Sequence, residues 1–250
     1  MDLGLSGKKA VVTGSTKGIG RAIAETLIAE GAQVAICARK ADEVEETLAA
    51  LGPQATGQAL DVSDAPALRS WVAESAEAFG GLDIVVANVS ALAIGDDEDC
   101  WRRSFEVDLL HTVNLVEAAM PFLEKSEAGA IVTISSVSGR EIDFAAGPYG
   151  TFKAAIVHYT QGLAHKLAAQ GIRANSVSPG NTYFPGGVWQ QIEQNQPDFF
   201  QEALALNPTG RMGTPQEMAN AVAFLASPAA SFVTGTNLVV DGALTRGVQF

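Results

Sequence analysis

A glycine-rich turn between an apolar strand and a helical pattern constrains this chain more than any other stretch. The apolar run Ala10–Val12 leads into the turn, and glycine occupies three of its positions: Gly14, Gly18 and Gly20. Glycine lets the backbone turn tightly and approach a ligand, and the free N–H groups of a following helix attract an anion. The turn predicts a pyrophosphate site, although a lone turn of this kind also occurs as an ordinary strand-to-helix connection.

Apolar, β-branched runs alternate with helical patterns along the whole chain. Seven runs are predicted to be strands: Ala10–Thr13, Gln33–Cys37, Thr56–Leu60, Ile84–Ala87, Ala130–Ser135, Arg173–Val177 and Asn237–Val240. Six patterns are predicted to be helices: Ile19–Glu30, Asp42–Ala50, Ala65–Phe79, Glu98–Glu124, Tyr149–Ala169 and Pro215–Ala226. This alternation indicates an α/β fold, a Rossmann-type doubly wound parallel sheet of about seven strands with helices on both faces.

The chain is predicted to form one domain over residues 1–250, with a distinct segment near its end. At 250 residues and 47% hydrophobic content, it is long enough for one large core. The segment Asn181–Asn207 is rich in glycine, proline, glutamine and aromatic residues and follows the sixth strand. Such an insertion at the carboxyl end of a strand is typical of a substrate lid. The alternative, that its aromatic residues only pack it onto the body, remains open.

Composition excludes several classes of partner. The formal net charge of −12 argues against binding to nucleic acid or to an anionic membrane surface. Cys37 and Cys100 are the two cysteines, in no metal-binding or redox spacing, which is typical of a reduced, cytoplasmic protein. The start of the sequence lacks the apolar region of a signal peptide, and no apolar run could span a bilayer.

Three polar residues predict acid–base chemistry on an alcohol or a carbonyl group. Ser136 follows the strand Ala130–Ser135, and Tyr149 and Lys153 lie four positions apart in a helical pattern, on the same face of the helix. An ammonium beside the phenol would favour the ionised form of tyrosine, which helps proton transfer. Ser136 would donate a hydrogen bond to the substrate oxygen. Taken alone, tyrosine and lysine at this spacing are more often a surface pair.

In this order and spacing, the motifs resemble the short-chain dehydrogenase/reductase family, in its compact, 3-oxoacyl-carrier-protein-reductase-like branch. The resemblance runs from Lys8 to Gly242 and rests on Thr13-Gly14-x-x-x-Gly18-x-Gly20, Ser136 and Tyr149-x-x-x-Lys153. It implies hydride transfer between a nicotinamide cofactor and a C–OH/C=O pair, with Tyr149 as general acid in reduction. Lys153 would assist Tyr149 and bind the nicotinamide ribose. The family also implies a homotetramer, built partly from the helices Glu98–Glu124 and Tyr149–Ala169.

The same resemblance assigns cofactor contacts to residues along the carboxyl ends of the strands. Asp61 and Val62 match positions near the adenine, and Pro179 and Gly180 match the loop on the nicotinamide side. Together with the glycine-rich turn, the predicted cofactor-binding residues are Gly14, Ser15, Thr16, Lys17, Gly18, Ile19, Gly20, Arg39, Asp61, Val62, Asn88, Tyr149, Lys153, Pro179, Gly180 and Thr182.

The end of the second strand predicts which cofactor is used. A site for NAD(H) usually places a carboxylate there, but this chain has Ala38 followed by Arg39, and Lys17 lies in the glycine-rich turn. Two cations suit a 2′-phosphate, which favours NADP(H) over NAD(H). Asp42 is a competing carboxylate, although it is better explained as a cap or first-turn residue of the next helix.

Three positions depart from the family pattern. After the fourth strand, Ala87-Asn88-Val89-Ser90 keeps only the second asparagine of the usual motif, and Phe184 replaces a common threonine, with Thr182 nearby. The family's catalytic asparagine, which holds a water that links the lysine to solvent, is Asp108 here. Asp108 is therefore included with Ser136, Tyr149 and Lys153 as a candidate catalytic residue.

The sequence as a whole predicts an NADP(H)-dependent oxidoreductase acting on a ketone or secondary alcohol that is largely apolar. The alternatives are a non-catalytic NADP(H)-binding redox sensor and an NAD-dependent alcohol dehydrogenase of the same fold. No metal site is predicted, because the three histidines, His111, His158 and His165, show no ligand pattern with carboxylates.

Overall fold

A computed structural model, which describes residues 2–248, shows a seven-stranded, all-parallel sheet. Its strands are β1 (Lys9–Thr13), β2 (Gln33–Ala38), β3 (Ala55–Ala59), β4 (Ile84–Ala87), β5 (Ala130–Ile134), β6 (Arg173–Pro179) and β7 (Asn237–Val240). They lie in the order β3-β2-β1-β4-β5-β6-β7. Strand order reverses between β1 and β4, where Val11 pairs with Val85. A crevice at the carboxyl ends of strands forms at such a reversal.

Helices cover both faces of the sheet. Their bounds are α1 (Gly18–Ala29), α2 (Ala41–Leu51), α3 (Ala65–Phe79), α4 (Glu98–Ser104), α5 (His111–Leu123), α6 (Pro148–Leu167), α7 (Val188–Asn195), α8 (Pro197–Ala205) and α9 (Pro215–Ala226). Alternate residues of one strand serve opposite faces: Val12 packs with Ile23 of α1, whereas Val11 packs with Leu115 of α5. Because β1, β2 and β4 lie inside the sheet and are buried on both faces, their sequences are mostly apolar. The doubly wound fold predicted from the sequence is confirmed.

The helix predicted over Glu98–Glu124 is not continuous, which corrects the sequence-based expectation. Between α4 and α5, Phe105–Leu110 forms a π-helical turn with Asp108 at its centre. The wider turn adds a residue to the helical repeat, and such turns are frequent at functional sites. Asp97 caps the start of α4, because its side chain accepts a hydrogen bond from the Cys100 N–H at 2.8 Å.

The segment 181–207 is more regular than its composition suggested, because it contains α7 and α8. The two helices enclose a small apolar cluster of their own, formed by Trp189, Phe200, Ala203 and Met212. Its aromatic residues therefore pack the segment together. Within residues 2–248, no helix combines the length and apolar character needed to cross a membrane.

Candidate active site

The glycine-rich turn joins β1 to α1 and forms one wall of a cleft at the carboxyl ends of the strands. Gly14 has a φ of +66°, which favours glycine, and a Cβ on Gly20 would collide with the Gly14 carbonyl oxygen. The Asn88 side chain fixes the turn by donating hydrogen bonds to the carbonyl oxygens of Thr13 and Gly14, at 3.0 and 3.1 Å. Asn88, predicted to bind cofactor, thus also holds the turn in shape.

The first N–H groups of α1 are available to a ligand. The helix begins after Lys17, which has extended backbone angles, and no side chain within residues 2–248 caps this end. Uncapped N–H groups together with the helix dipole favour a phosphate group at this place. Thr16, Lys17, Ile19 and Gly20 line the cleft here, so the turn fits the pyrophosphate of a dinucleotide.

Ser15 and Gly18, also predicted as cofactor contacts, do not line the cleft. The Ser15 side chain is fully buried and donates to the Val12 carbonyl oxygen, so its hydroxyl is directed into the fold. Gly18 is covered by the ring of Phe184, whose nearest atom lies 2.5 Å from where a Cβ of Gly18 would be. The role of Gly18 is therefore to leave room for an aromatic ring, which the motif alone did not indicate.

The cleft has a volume of about 830 Å³ and runs from the end of β2 to the start of α6. Ala38, Arg39 and Lys40 line its far end beside the glycine-rich turn. Asp42 is exposed in the first turn of α2 and does not line the cleft, in agreement with its interpretation as a first-turn residue. This end of the cleft is therefore rich in cations, as expected of a site for a phosphate.

Asp61 and Val62 follow β3 and also line the cleft. The Asp61 carboxylate accepts hydrogen bonds from the backbone N–H and the hydroxyl of Ser63, at 2.9 and 2.7 Å. These bonds lower the pKa of Asp61 below its usual value, and the charge of Arg39 adds to the effect. Asp61 is thus ionised at neutral pH and orients the loop that would contact the adenine.

Tyr149 and Lys153 lie together at the other end of the cleft, one helical turn apart on α6. The Lys153 Nζ is 5.6 Å from the centre of the Tyr149 ring and donates a hydrogen bond to the Ile134 carbonyl oxygen at 3.0 Å. Lys153 is among the largest fully buried side chains of the protein. A lysine is rarely buried without a partner, so this position requires compensation by nearby groups.

Ser136 follows β5 and lies on the same wall as Tyr149 and Lys153. Its Oγ accepts a hydrogen bond from the Ser138 N–H at 3.1 Å, which leaves the hydroxyl hydrogen for another acceptor. A Cβ at Gly139 would lie 2.7 Å from the backbone of α6, so glycine lets the serine loop rest directly on that helix. The structure thus brings Ser136, Tyr149 and Lys153 into one cleft.

Asp108 is the partner of the buried lysine. Its Oδ1 lies 3.3 Å from Lys153 Nζ, and its Oδ2 accepts a hydrogen bond from the Ala91 N–H at 3.2 Å. Both side chains are almost completely inaccessible to water. Asp108 does not line the cleft itself, so it can act on a substrate only through Lys153.

His111, for which the sequence predicted no metal-binding role, is buried behind the cleft. Its Nδ1 lies 3.0 Å from the Val107 carbonyl oxygen and its Nε2 lies 3.1 Å from Thr13 Oγ1. Burial lowers the pKa of His111 to about 4, so the ring is neutral: Nδ1 donates and Nε2 accepts. His111 joins the π-helical turn to the end of β1. His158 and His165 are exposed, and no cluster of potential metal ligands occurs in residues 2–248.

The loop after β6 contributes further residues to the wall of the cleft. Pro179, Gly180 and Thr182 line it, and the Thr182 hydroxyl donates to the Gly180 carbonyl oxygen at 3.0 Å. Phe184 also lines the cleft, with its ring between Gly18 and Gly187. Thr182 is therefore near the predicted place, although its hydroxyl hydrogen is already engaged.

Known proteins resemble this chain over almost its whole length. Residues 14–245 match a family profile described as Enoyl-(Acyl carrier protein) reductase. Isoepoxydon dehydrogenase of Penicillium expansum is 40% identical over 255 aligned residues, which cover 99% of this chain and 98% of the relative. The 3-oxoacyl-(acyl-carrier-protein) reductase of Escherichia coli is 35% identical over 248 residues, covering 97% and 99%. Dehydrogenase/reductase SDR family member 4 of Sus scrofa is 34% identical over 248 residues, covering 95% and 87%.

These relatives are named as dehydrogenases or reductases, and the fold and the cleft agree with that chemistry. The protein is an oxidoreductase that acts on a C–OH or carbonyl group with a nicotinamide cofactor. With a family profile matching residues 14–245 and relatives of 34–40% identity, the chain belongs to the short-chain dehydrogenase/reductase family.

Proposed function

We propose that this protein is an NADP(H)-dependent oxidoreductase for a small, largely apolar ketone or secondary alcohol. The observation that carries the proposal is the buried ammonium of Lys153 beside the Tyr149 ring, on a wall shared with Ser136. When bound, the nicotinamide supplies or accepts the hydride. The protein must then position the substrate oxygen and provide or remove one proton.

Tyr149 is proposed as the group that exchanges this proton. In reduction, its O–H bond breaks as the proton passes to the substrate oxygen, and the phenolate that remains is stabilised by the Lys153 charge. Ser136 donates its free hydroxyl hydrogen to the same oxygen and so fixes the carbonyl group. Asp108 holds the lysine in place and is a positioning residue.

The cations at the far end of the cleft support the choice of NADP(H). Arg39 lines the cleft, and its guanidinium has no hydrogen bond or ion pair within residues 2–248. Lys17 lines the cleft from the glycine-rich turn. A 2′-phosphate would give both cations a partner, and guanidinium groups bind phosphate with two parallel hydrogen bonds.

The substrate class is inferred from the walls beside Ser136 and Tyr149. These walls are largely apolar and include Leu92, Ile94, Phe144, Val188 and Trp189. Val188 and Trp189 come from the segment 181–207, which we propose is a substrate lid. Two relatives, an isoepoxydon dehydrogenase and a 3-oxoacyl-(acyl-carrier-protein) reductase, have names that denote oxidation or reduction of a substrate, which agrees with this class of reaction.

Replacing Tyr149 tests the proton role. Tyr149→Phe is expected to lower kcat by at least about 100-fold, because general acid–base catalysis contributes that much or more. The affinity for NADPH, measured by titrating its fluorescence, should remain nearly unchanged. Tyr159→Phe is the matched control, since Tyr159 lies on the same helix but not in the cleft. A Tyr149→Phe variant that keeps a tenth of the rate would show that another group supplies the proton.

Replacing Arg39 tests the cofactor. Arg39→Asp removes a phosphate partner and adds a carboxylate, so the preference for NADPH should fall by about tenfold to a hundredfold. The measurement is kcat/KM for NADPH and NADH, with Lys125→Asp as a reversal of charge outside the cleft. A wild-type enzyme that prefers NADH would contradict the assignment, and wild-type protein that binds NADPH without oxidising it with any ketone would indicate a redox sensor.

A further inference from the structure

Glu43 is a carboxylate inside the cationic end of the cleft, at a position that the motifs did not mark. It lies in the first turn of α2 and lines the cleft with Lys17, Arg39 and Lys40. Its Oε1 accepts a hydrogen bond from Lys40 Nζ at 2.7 Å, and its Oε2 accepts one from Thr16 Oγ1 at 3.3 Å. One carboxylate thus engages both α2 and the glycine-rich turn.

Glu43 carries its negative charge at neutral pH. The hydrogen bond from Lys40 lowers the pKa of Glu43, and the charges of Lys40 and Lys17 and the hydroxyl of Thr16 lower it further. The carboxylate side chain is 31% exposed and that of Lys40 is 68% exposed, so the pair can separate at little cost. Of the three cations that line this end of the cleft, Lys40 is therefore already neutralised.

We propose that Glu43 is a specificity-determining residue that limits how strongly this enzyme prefers NADP(H) over NAD(H). This inference rests on the proposed dinucleotide site. A 2′-phosphate between Lys17 and Arg39 is repelled by the negative charge of Glu43. It can bind Lys40 and Thr16 only if these two residues break their hydrogen bonds to the Glu43 carboxylate. A 2′-hydroxyl carries no charge, and Glu43 offers it an acceptor.

The same carboxylate also lies at the start of a helix, where acidic residues are favoured without any role in binding. Asp42 allows the two roles to be separated. It belongs to the same turn of α2 and carries the same charge, but it is exposed and does not line the cleft. A helix-terminal effect or a general electrostatic effect would be similar for the two residues, whereas a direct effect on the phosphate belongs to Glu43.

The test compares Glu43→Gln with Asp42→Asn by cofactor binding. Dissociation constants for NADPH and NADH are measured by fluorescence titration at low ionic strength, where surface charges are least screened. Glu43→Gln keeps an oxygen acceptor for Lys40 and removes the charge, so the ratio Kd(NADH)/Kd(NADPH) should rise about fivefold, mainly through tighter NADPH binding. Asp42→Asn should change that ratio less than twofold.

Fragments of the cofactor locate the effect. Adenosine 2′,5′-bisphosphate and adenosine 5′-monophosphate differ only in the 2′-phosphate, so Glu43→Gln should tighten binding of the first and not of the second, as measured by calorimetry. An unchanged or lower ratio in Glu43→Gln, or an equal rise in Asp42→Asn, overturns the inference. The proposed cofactor is judged separately: it fails if the wild type binds NADH more tightly than NADPH, whatever Glu43→Gln does.

Discussion

At the scale of single residues, the pairing of Asp108 with Lys153 differs most from what the family pattern implies. Where the resemblance implies an asparagine that holds a water, this chain has a carboxylate 3.3 Å from the lysine ammonium. An amide both donates and accepts hydrogen bonds, whereas an ionised carboxylate only accepts. The negative charge of Asp108 offsets part of the field that Lys153 exerts on the Tyr149 phenol.

Asp108→Asn is therefore expected to shift the pH profile of alcohol oxidation towards acid. The measurement is kcat/KM against pH, with one alcohol and saturating NADP⁺. Removing one partner of a buried pair costs about 3–5 kcal/mol of stability, so the melting temperature should fall as well. The shift of the profile is the informative readout, because a structural role alone would lower the melting temperature without moving it.

Glu117→Gln is the control for this prediction. It removes an exposed carboxylate from α5, the helix that follows the π-helical turn, and Glu117 does not line the cleft. It should leave the profile in place. Superimposable profiles for wild type and Asp108→Asn would mean that Asp108 does not communicate with Tyr149, and it would then no longer be a candidate for the site.

His111 should make the stability of the protein depend on pH. Burial lowers the pKa of His111 to about 4, whereas a histidine in the unfolded chain titrates near 6.5. Between these values the unfolded chain binds a proton that the folded one does not, so the free energy of unfolding falls as the pH falls. At pH 5 the loss from this residue is about 2 kcal/mol.

Urea unfolding at pH 7 and pH 5 measures this dependence. His111→Gln removes the titrating group, so it should lose less stability between the two pH values than the wild type does. His165→Gln is the control, because His165 is an exposed histidine on α6. If His111→Gln and the wild type lose the same stability, the acid sensitivity comes from other groups.

Spacing along the sequence predicted those site residues that are close together in the chain or that follow a strand beside the cleft. Tyr149 and Lys153 meet because they are one helical turn apart, and Ser136 joins them because it follows a strand next to the cleft. Glu43 and His111 were not predicted, since their partners Thr16 and Thr13 are 27 and 98 residues away. The position of His111, three residues after Asp108, was a signal that it could lie near the site. The local sequence does not show in which direction its side chain points.

At the scale of elements, the sequence predicted all seven strands and six helices, because buried parallel strands leave a strong apolar signal. It missed the π-helical turn, since one extra residue in a helix hardly changes the apolar pattern. It also missed α7 and α8, which are short, rich in glutamine, and flanked by glycine and proline. Their stability comes from packing within the segment, as the edge-to-face contact of Trp189 and Phe200 illustrates.

Replacing Trp189 is expected to show whether the segment 181–207 acts as a substrate lid or only packs onto the body of the protein. The residue lines the cleft, and the centre of its ring lies 5.7 Å from that of Phe144, which also lines the cleft. Trp189→Ala should raise KM for bulky substrates more than for small ones. Phe200→Ala, in the same apolar cluster but outside the cleft, should lower the melting temperature without this dependence on size. Equal effects of Trp189→Ala on all substrates would favour packing alone.

At the scale of the whole molecule, an exposed aromatic group on α4, the π-helical turn and α6 predicts self-association. Trp101 and Phe105 are 40% and 44% exposed, and both rings contact Phe152, at centroid distances of 6.0 and 5.9 Å. Contiguous apolar surface of this kind marks protein interfaces. Together with the family resemblance, it leads us to propose a homotetramer built partly through these helices.

Phe105→Glu should therefore reduce the mass of the particle, as measured by light scattering after size-exclusion chromatography. Burying an unpaired carboxylate in an interface is strongly unfavourable, so assembly through this surface should fail. Ile142→Glu is the control, because Ile142 is 91% exposed, lies between β5 and α6, and is not one of the three aromatic residues in contact. A wild-type protein that remains monomeric at micromolar concentration would contradict the proposal.

The position of β1 in the middle of the sheet has a consequence for how the chain is made. As synthesis proceeds, β1 can pair with β2 first, and its other edge stays without a neighbour until β4 is made, more than 70 residues later. An unpaired edge of an apolar strand invites pairing with other chains, and contacts distant in sequence form slowly. The nascent chain is thus most prone to aggregate before residue 84 has left the ribosome, and slower elongation up to that point would prolong the exposure.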